Sequence, residues 1–223
     1  MSEPTQPPAL DELRQWIGRS ERVEDVVTPR LEASFRATFN RAPGTPAVGE
    51  DASLCLHWCL APAIAPMDAL GDDGHPRRGG FLPPAPLPRR MWAGGELEFL
   101  APLRVGDTVT RVSEITDVSS KQGRSGELCF VTVRHSWTTP RGLAVRERQD
   151  IVYRGVEGAS PAAAAPAPES EAAWRRSWPC DAVLLFRYSA LSFNGHRIHY
   201  DHPYVTEIEN YPGLVVHAPV QAT

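Results

Sequence analysis

The residues with the most chemical reach lie near the C-terminus. His196, His199 and His202 fall three apart, with Arg197 and Asp201 among them and Asn194 just ahead. The free pKa of histidine lies near working pH, so such a cluster suits proton transfer or metal binding. The fixed positive charge of Arg197 opposes a bound cation, so no metal is expected here. On composition alone, a solvated loop carrying polar side chains accounts for the segment equally well. Further on, His217-Ala218-Pro219 reads as a helix start, with proline where its missing N–H costs least. A helix start offers free backbone N–H groups and the positive end of the dipole, both suited to a developing negative charge. His217 is a cap or a neighbour of the site, and Arg187 pairs with a carboxylate of the fold or with an acidic substrate. Arg77, Arg78, Arg89 and Arg90 flank a proline-rich loop. They read first as solvated surface and second as a phosphate site, since guanidinium groups suit phosphates.

These residues need elements to hold them. Leu10, Leu13, Trp16 and Ile17 repeat at helical spacing, and Val26 to Phe39 suggests a strand entering a longer element. Asp51 and Ser53 suit the cap of a helix through Leu54, Leu56, Trp58 and Cys59, which Pro62 ends. Gly71 to Arg90 is a loop. Trp92 to Leu100, Thr108 to Val118, Leu128 to Thr138 and Leu143 to Tyr153 are rich in Val, Thr, Phe and Trp, and turn signals separate them. They read as four consecutive antiparallel strands packed on the helix near Leu54 to Leu60, an α+β arrangement. Gly155 to Ala173 is a Pro/Ala/Ser/Glu linker. Beyond it Asp181 to Ser189 and Leu214 to Val216 are apolar enough for strands. The organisation expected is residues 1–154, a linker over 155–178, and a second unit from 179 to 223. A complete second unit needs about 100 residues, so it is either a fragment or completed by something else.

Composition excludes several classes. The chain has 223 residues, 42% apolar and 22% charged, with net charge −4. No basic field points to nucleic acid, and no apolar run is long enough for a bilayer span. Met1 to Pro8 lacks the basic start and apolar core of a signal peptide. Cys55, Cys59, Cys129 and Cys180 are irregularly spaced and read as reduced thiols in a cytoplasmic protein. Cys55 and Cys59 stand one helical turn apart, as two core residues rather than a redox or metal pair.

The run Arg187-Tyr188-Ser189-Ala190-Leu191-Ser192-Phe193-Asn194-Gly195-His196-Arg197-Ile198-His199-Tyr200-Asp201, with Tyr211-Pro212-Gly213-Leu214-Val215-Val216-His217, resembles the acyl-CoA hydratases related to MaoC. It is most similar to their double-hotdog branch, which contains 3-methylfumaryl-CoA (mesaconyl-C4-CoA) hydratases and mitochondrial 3-hydroxyacyl-thioester dehydratases. Pro83-Pro84, Met91 to Gly95 and Phe99 to Asp107 resemble the degenerate N-terminal hotdog of that branch. The resemblance implies a hotdog fold, a helix wrapped by antiparallel sheet, with the second hotdog only begun here. It implies an acyl-CoA substrate, a homodimer or higher homo-oligomer, no metal and no bound redox cofactor. In the wider family a carboxylate and a histidine five residues later bracket a catalytic water. The histidine maps to His199; the carboxylate maps to Asn194, a departure. The amide that polarises the thioester carbonyl maps to Ala218, where glycine is usual. The backbone N–H survives that change.

Adding water across an α,β-unsaturated thioester needs a base, a pocket for charge on the thioester oxygen, and a proton for the α-carbon. His199 suits the first and the Ala218 amide the second. Asn194 cannot act as a base but can orient water, leaving His199 to carry both proton transfers. Arg187, Arg197 and His217 are candidates for substrate contact. The rivals are a hotdog thioesterase, which usually needs a carboxylate near the helix that Leu214 to Thr223 lacks, and a non-catalytic acyl-CoA-binding or partner subunit.

Overall fold

The structure is a computed structural model and describes residues 12–123, 126–155, 173 and 177–223. Leu10 and almost all of the expected linker lie outside the described residues.

Five antiparallel strands form one sheet: β1 (Ser20–Val26), β2 (Arg89–Phe99), β3 (Thr108–Gly123), β4 (Gly126–Thr139) and β5 (Gly142–Arg154). Their order is β1-β3-β4-β5-β2. Four of them fall on the alternating segments of the sequence. Two features differ from the expectation of a four-strand meander. The short strand β1 adds an edge beside β3, and β2 pairs with β5 instead of with β3. Alternation marks a strand, but pairing partners are set by packing, which no local pattern records.

The helix against the sheet is also not the expected one. It is α1, Pro29–Thr38, started by Thr28, whose side chain accepts the Leu31 N–H at 3.1 Å, with proline in the first turn. Leu56–Cys59 makes only a single 3₁₀ turn, entered through Cys55 at φ +67°. The expected caps are engaged elsewhere. Asp51 pairs with Arg104 at 3.0 Å, and the Ser53 amide and hydroxyl both donate to the buried Glu32 of α1. The apolar residues of that turn still enter the core. Leu56, Cys59 and Leu60 pack with Val27, Leu31 and Phe35 against Val109, Trp137 and Val145 of the sheet. Burial pushes the Cys59 thiol up to about 12, so it is an inert core residue.

Asp181 to Ser189 is a helix, not a strand. In α2, Ala182–Leu191, the Asp181 carboxylate accepts the Leu184 N–H at 2.9 Å. Leu184, Leu185, Tyr188 and Ser189 are buried while Val183 and Phe186 face out. The strand expected there is wrong: a short apolar run carries no period of its own, and the Asp181 cap sets the helix. Leu214 to Val216, expected as a strand, belongs to none; the Val215 N–H donates to the Ile198 carbonyl instead. The expected helix start at His217 is present as α3, Ala218–Ala222. Leu184, Tyr188 and Val220 share one core with α1 and the sheet, so the C-terminal segment is seated on the body of the molecule. Among the described residues, no helix is long and apolar enough to cross a membrane.

Candidate active site

The end of α2 turns the chain into the site. Phe193 takes a left-handed φ of +50°, the Asn194 N–H donates to the Ser189 carbonyl, and Asn194 Oδ1 accepts the His196 N–H at 2.9 Å. A 3₁₀ turn, Arg197–His199, then carries His199 inward. This segment is clamped against residues 72–75, the loop that precedes β2. The Arg197 N–H donates to the Asp73 carbonyl at 2.9 Å. Gly74 sits so close to Gly195 that a Cβ on it would lie 2.0 Å from the Gly195 carbonyl oxygen.

His199 is 6% exposed, and its Nδ1 lies 2.7 Å from the Val215 carbonyl oxygen. A carbonyl only accepts, so Nδ1 carries the proton and Nε2 the lone pair. Nε2 has no hydrogen-bond partner among the described residues. Burial pulls its pKa down to about 4, against the opposing pull of the Val215 carbonyl. The imidazole is therefore neutral near pH 7. His217 stacks on it, with ring centroids 3.6 Å apart and planes 18° from parallel. The Nε2 of His217 meets the Ser189 hydroxyl at 2.9 Å, and burial holds this ring neutral too, near 3.

The three-apart histidine cluster does not survive as a unit. His202 is exposed, whereas His196 is buried edge-on to His199 at 5.4 Å. The fourth ring of the group is His75, 4.1 Å from His196. The Nδ1–H of His75 donates to Asp73 Oδ2 at 3.1 Å, and its amide donates to Oδ1 at 2.9 Å. Asp73, His75 and Ser189 escaped sequence reasoning. The acidic-Gly-His run from Asp73 to His75 was the available signal, hidden inside a loop read as structureless. Asp73, His75 and His196 each offer a ligand atom within 4.8 Å of one another, but both carboxylate oxygens already accept hydrogen bonds from His75.

The arginines are placed as follows. Arg197 pairs with Asp201 at 2.7 Å, donates to the Asp72 carbonyl and lies over the Tyr204 ring. Arg187 is exposed on α2 and forms no ion pair among the described residues. Arg78 donates to the carbonyls of Ala85, Leu87 and Pro88, Arg77 to that of Leu70, and Arg89 pairs with Glu209 at 3.1 Å. Arg78 and Arg89 staple the proline loop and β2, whereas Arg77 keeps an exposed guanidinium. Ala218, at the head of α3, lines an open cleft of about 290 Å³ with Trp58, Trp92, Gly94, Gly95 and Leu97.

Residues 55–223 match the family model of hydroxyacyl-thioester dehydratase type 2. The chain belongs to the hydroxyacyl-thioester dehydratase type 2 family. It is 44% identical over 209 residues to mesaconyl-C(4)-CoA hydratase of Chloroflexus aurantiacus, covering 93% of this chain and 74% of that protein. It is 27% identical over 192 residues to the mitochondrial hydroxyacyl-thioester dehydratase type 2 of Schizosaccharomyces pombe, covering 75% of this chain and 63% of that one. A MaoC-like dehydratase from Phytophthora capsici superposes with a TM-score of 0.60 at 15% identity, over 94% of this chain and 72% of that one. A second MaoC-like dehydratase superposes at 0.61 with 12% identity, over 96% and 76%. The fold is thus the hotdog, and this member of the hydroxyacyl-thioester dehydratase type 2 family is a hydro-lyase of the hydratase/dehydratase kind.

Proposed function

We propose that this chain adds water reversibly to a branched or dicarboxylic enoyl-CoA of the 3-methylfumaryl-CoA type, with His199 as the base. The observation that carries this reading is the fixed tautomer of His199. Its Nδ1–H is held by the Val215 carbonyl, and a free, neutral Nε2 remains to take a proton from water. The 44% identity to mesaconyl-C(4)-CoA hydratase supports the substrate class.

In this scheme water loses its proton to Nε2 while its oxygen attacks the β-carbon. Negative charge moves onto the thioester oxygen, where the Ala218 amide donates a hydrogen bond. The proton then passes from His199 to the α-carbon. Asn194 orients the water through its amide NH₂, since its oxygen is engaged by His196. Arg187, exposed on α2, is the candidate contact for a substrate carboxylate. Arg197 and His217 act from behind, holding the loop and backing His199. No metal or redox cofactor takes part. The enzyme works in the cytoplasm as a homodimer or higher homo-oligomer, a setting in keeping with four free cysteines.

The test is an absorbance assay at the enoyl-thioester band across a panel of CoA esters, with a thiol reagent present in a parallel set. Loss of the band without free CoA supports hydration. Release of CoA would mark a thioesterase, and binding without either change would mark a binding subunit.

A further inference from the structure

An imidazole that accepts a proton while buried becomes a cation in a poor dielectric, and a nearby anion stabilises it. Among the carboxylates of the C-terminal segment, Asp181 caps α2, Asp201 is paired with Arg197, Glu209 with Arg89, and Glu207 is exposed. None faces His199. Asp73, from the other half of the chain, does face the histidines. The rings of His75, His196 and His199 follow one another at 4.1 and 5.4 Å, with Asp73 bonded to the far end through His75 Nδ1. The remaining groups on this row are Arg78 and Arg90 beside His75, and His217 with the Ser189 hydroxyl beyond His199. Burial pushes the Asp73 carboxyl up, but the His75 hydrogen bonds outweigh it and keep it ionised well below the usual carboxylate range. Arg78 and Arg90 disfavour charge on His75, and Arg90 disfavours it on His196 as well, while the Asp73 carboxylate favours it on both rings.

We propose that Asp73, acting through His75 and His196, is a positioning residue that stabilises the positive charge His199 acquires during hydration. The inference rests on the hydratase reading above. The proton balance is unchanged. One water O–H bond breaks, a proton resides on His199 Nε2, and the same proton forms the α-carbon C–H bond while the water oxygen bonds to the β-carbon. Asp73 gains and loses nothing.

The experiment is steady-state hydration by the full chain of whichever enoyl-CoA it turns over best. The variants are Asp73→Asn, His75→Gln, Asn194→Asp and the double variant Asp73→Asn/Asn194→Asp, each first checked for a native thermal transition. Asp73→Asn keeps an acceptor for the His75 amide, so the local turn is retained. It should lower kcat about tenfold or more while KM stays within about twofold, because the charge exists only in the transition state. His75→Gln should behave alike. Asn194→Asp puts a carboxylate on the His196 backbone N–H. Measured against the Asn194→Asp single variant, it should make the Asp73→Asn change cost less than half as much, which a purely structural role for Asp73 would not allow. An Asp73→Asn variant with wild-type kcat, or an undiminished cost of Asp73→Asn in the Asn194→Asp background, would overturn the proposal while leaving an active wild type to support the hydratase. A wild type that hydrates no enoyl-CoA would overturn both.

Discussion

The imidazoles of His199 and His217 lie face to face, 3.6 Å between ring centroids and 18° from parallel. Two stacked rings this close cannot both be charged, and each lowers the proton affinity of its neighbour. His217 has its Nε2 on the Ser189 hydroxyl, and its Nδ1 has no partner among the described residues. The pair therefore presents one usable nitrogen, His199 Nε2.

From this, His199→Ala should lower kcat about 100- to 10,000-fold with little change in KM, because a general base acts in the transition state. His202→Ala, at an exposed position, should leave both constants near wild type. Steady-state kinetics on the best enoyl-CoA of the panel decides this. Near-normal turnover by His199→Ala would remove it as the base.

The oxyanion role of Ala218 is separable from its side chain. Ala218→Gly should be nearly silent. Ala218→Pro removes the N–H at the head of α3, and His217 already holds the extended backbone that a following proline requires. It should cost about 100- to 1000-fold in kcat. Equal turnover by the two variants would exclude this amide.

Stability should depend steeply on acid. Burial, the leading cause in each case, pulls His57, His135, His199 and His217 down to between about 3 and about 4, and His196 to about 2. Between the ordinary histidine value, near 6.5, and these folded-state values, the unfolded chain binds more protons than the folded one. Stability is therefore lost as pH falls through that window and is flat above it. Each of these histidines should remove roughly 1 kcal/mol between pH 7.5 and 5.5. Urea unfolding at a series of pH values measures this, and an unchanged midpoint would mean that the rings are accessible to solvent protons.

Hydration should survive chelation. Both oxygens of Asp73 accept from His75, and Arg90 and Arg78 stand beside that ring, a poor setting for a divalent cation. Activity after treatment with EDTA, with metal content by elemental analysis, checks it. Stoichiometric zinc together with loss of activity would assign the Asp73, His75 and His196 group to a metal.

Much of this was legible because it is local. Strands β2 to β5 declare themselves by alternation and turn residues, and the start of α3 by proline placement. His199 stood out through its surrounding run. What was not legible depends on distant partners. Asp181 to Ser189 reads as a strand until Asp181 caps it as a helix. Ser53 fits a helix cap until Glu32, 21 positions earlier, takes its hydroxyl. His75 and Asp73 sit in a loop more than 120 positions before His196, and only the folded chain brings them together.

The backbone contact between Gly74 and Gly195 has a bearing on inheritance. Neither position tolerates a side chain without moving the other, so the two loops can change only in concert. A chimera that takes residues 1–154 from one relative and 179–223 from another would have to match this contact across the junction. Recombination within such lineages should therefore favour exchanging both loops together over exchanging either half alone.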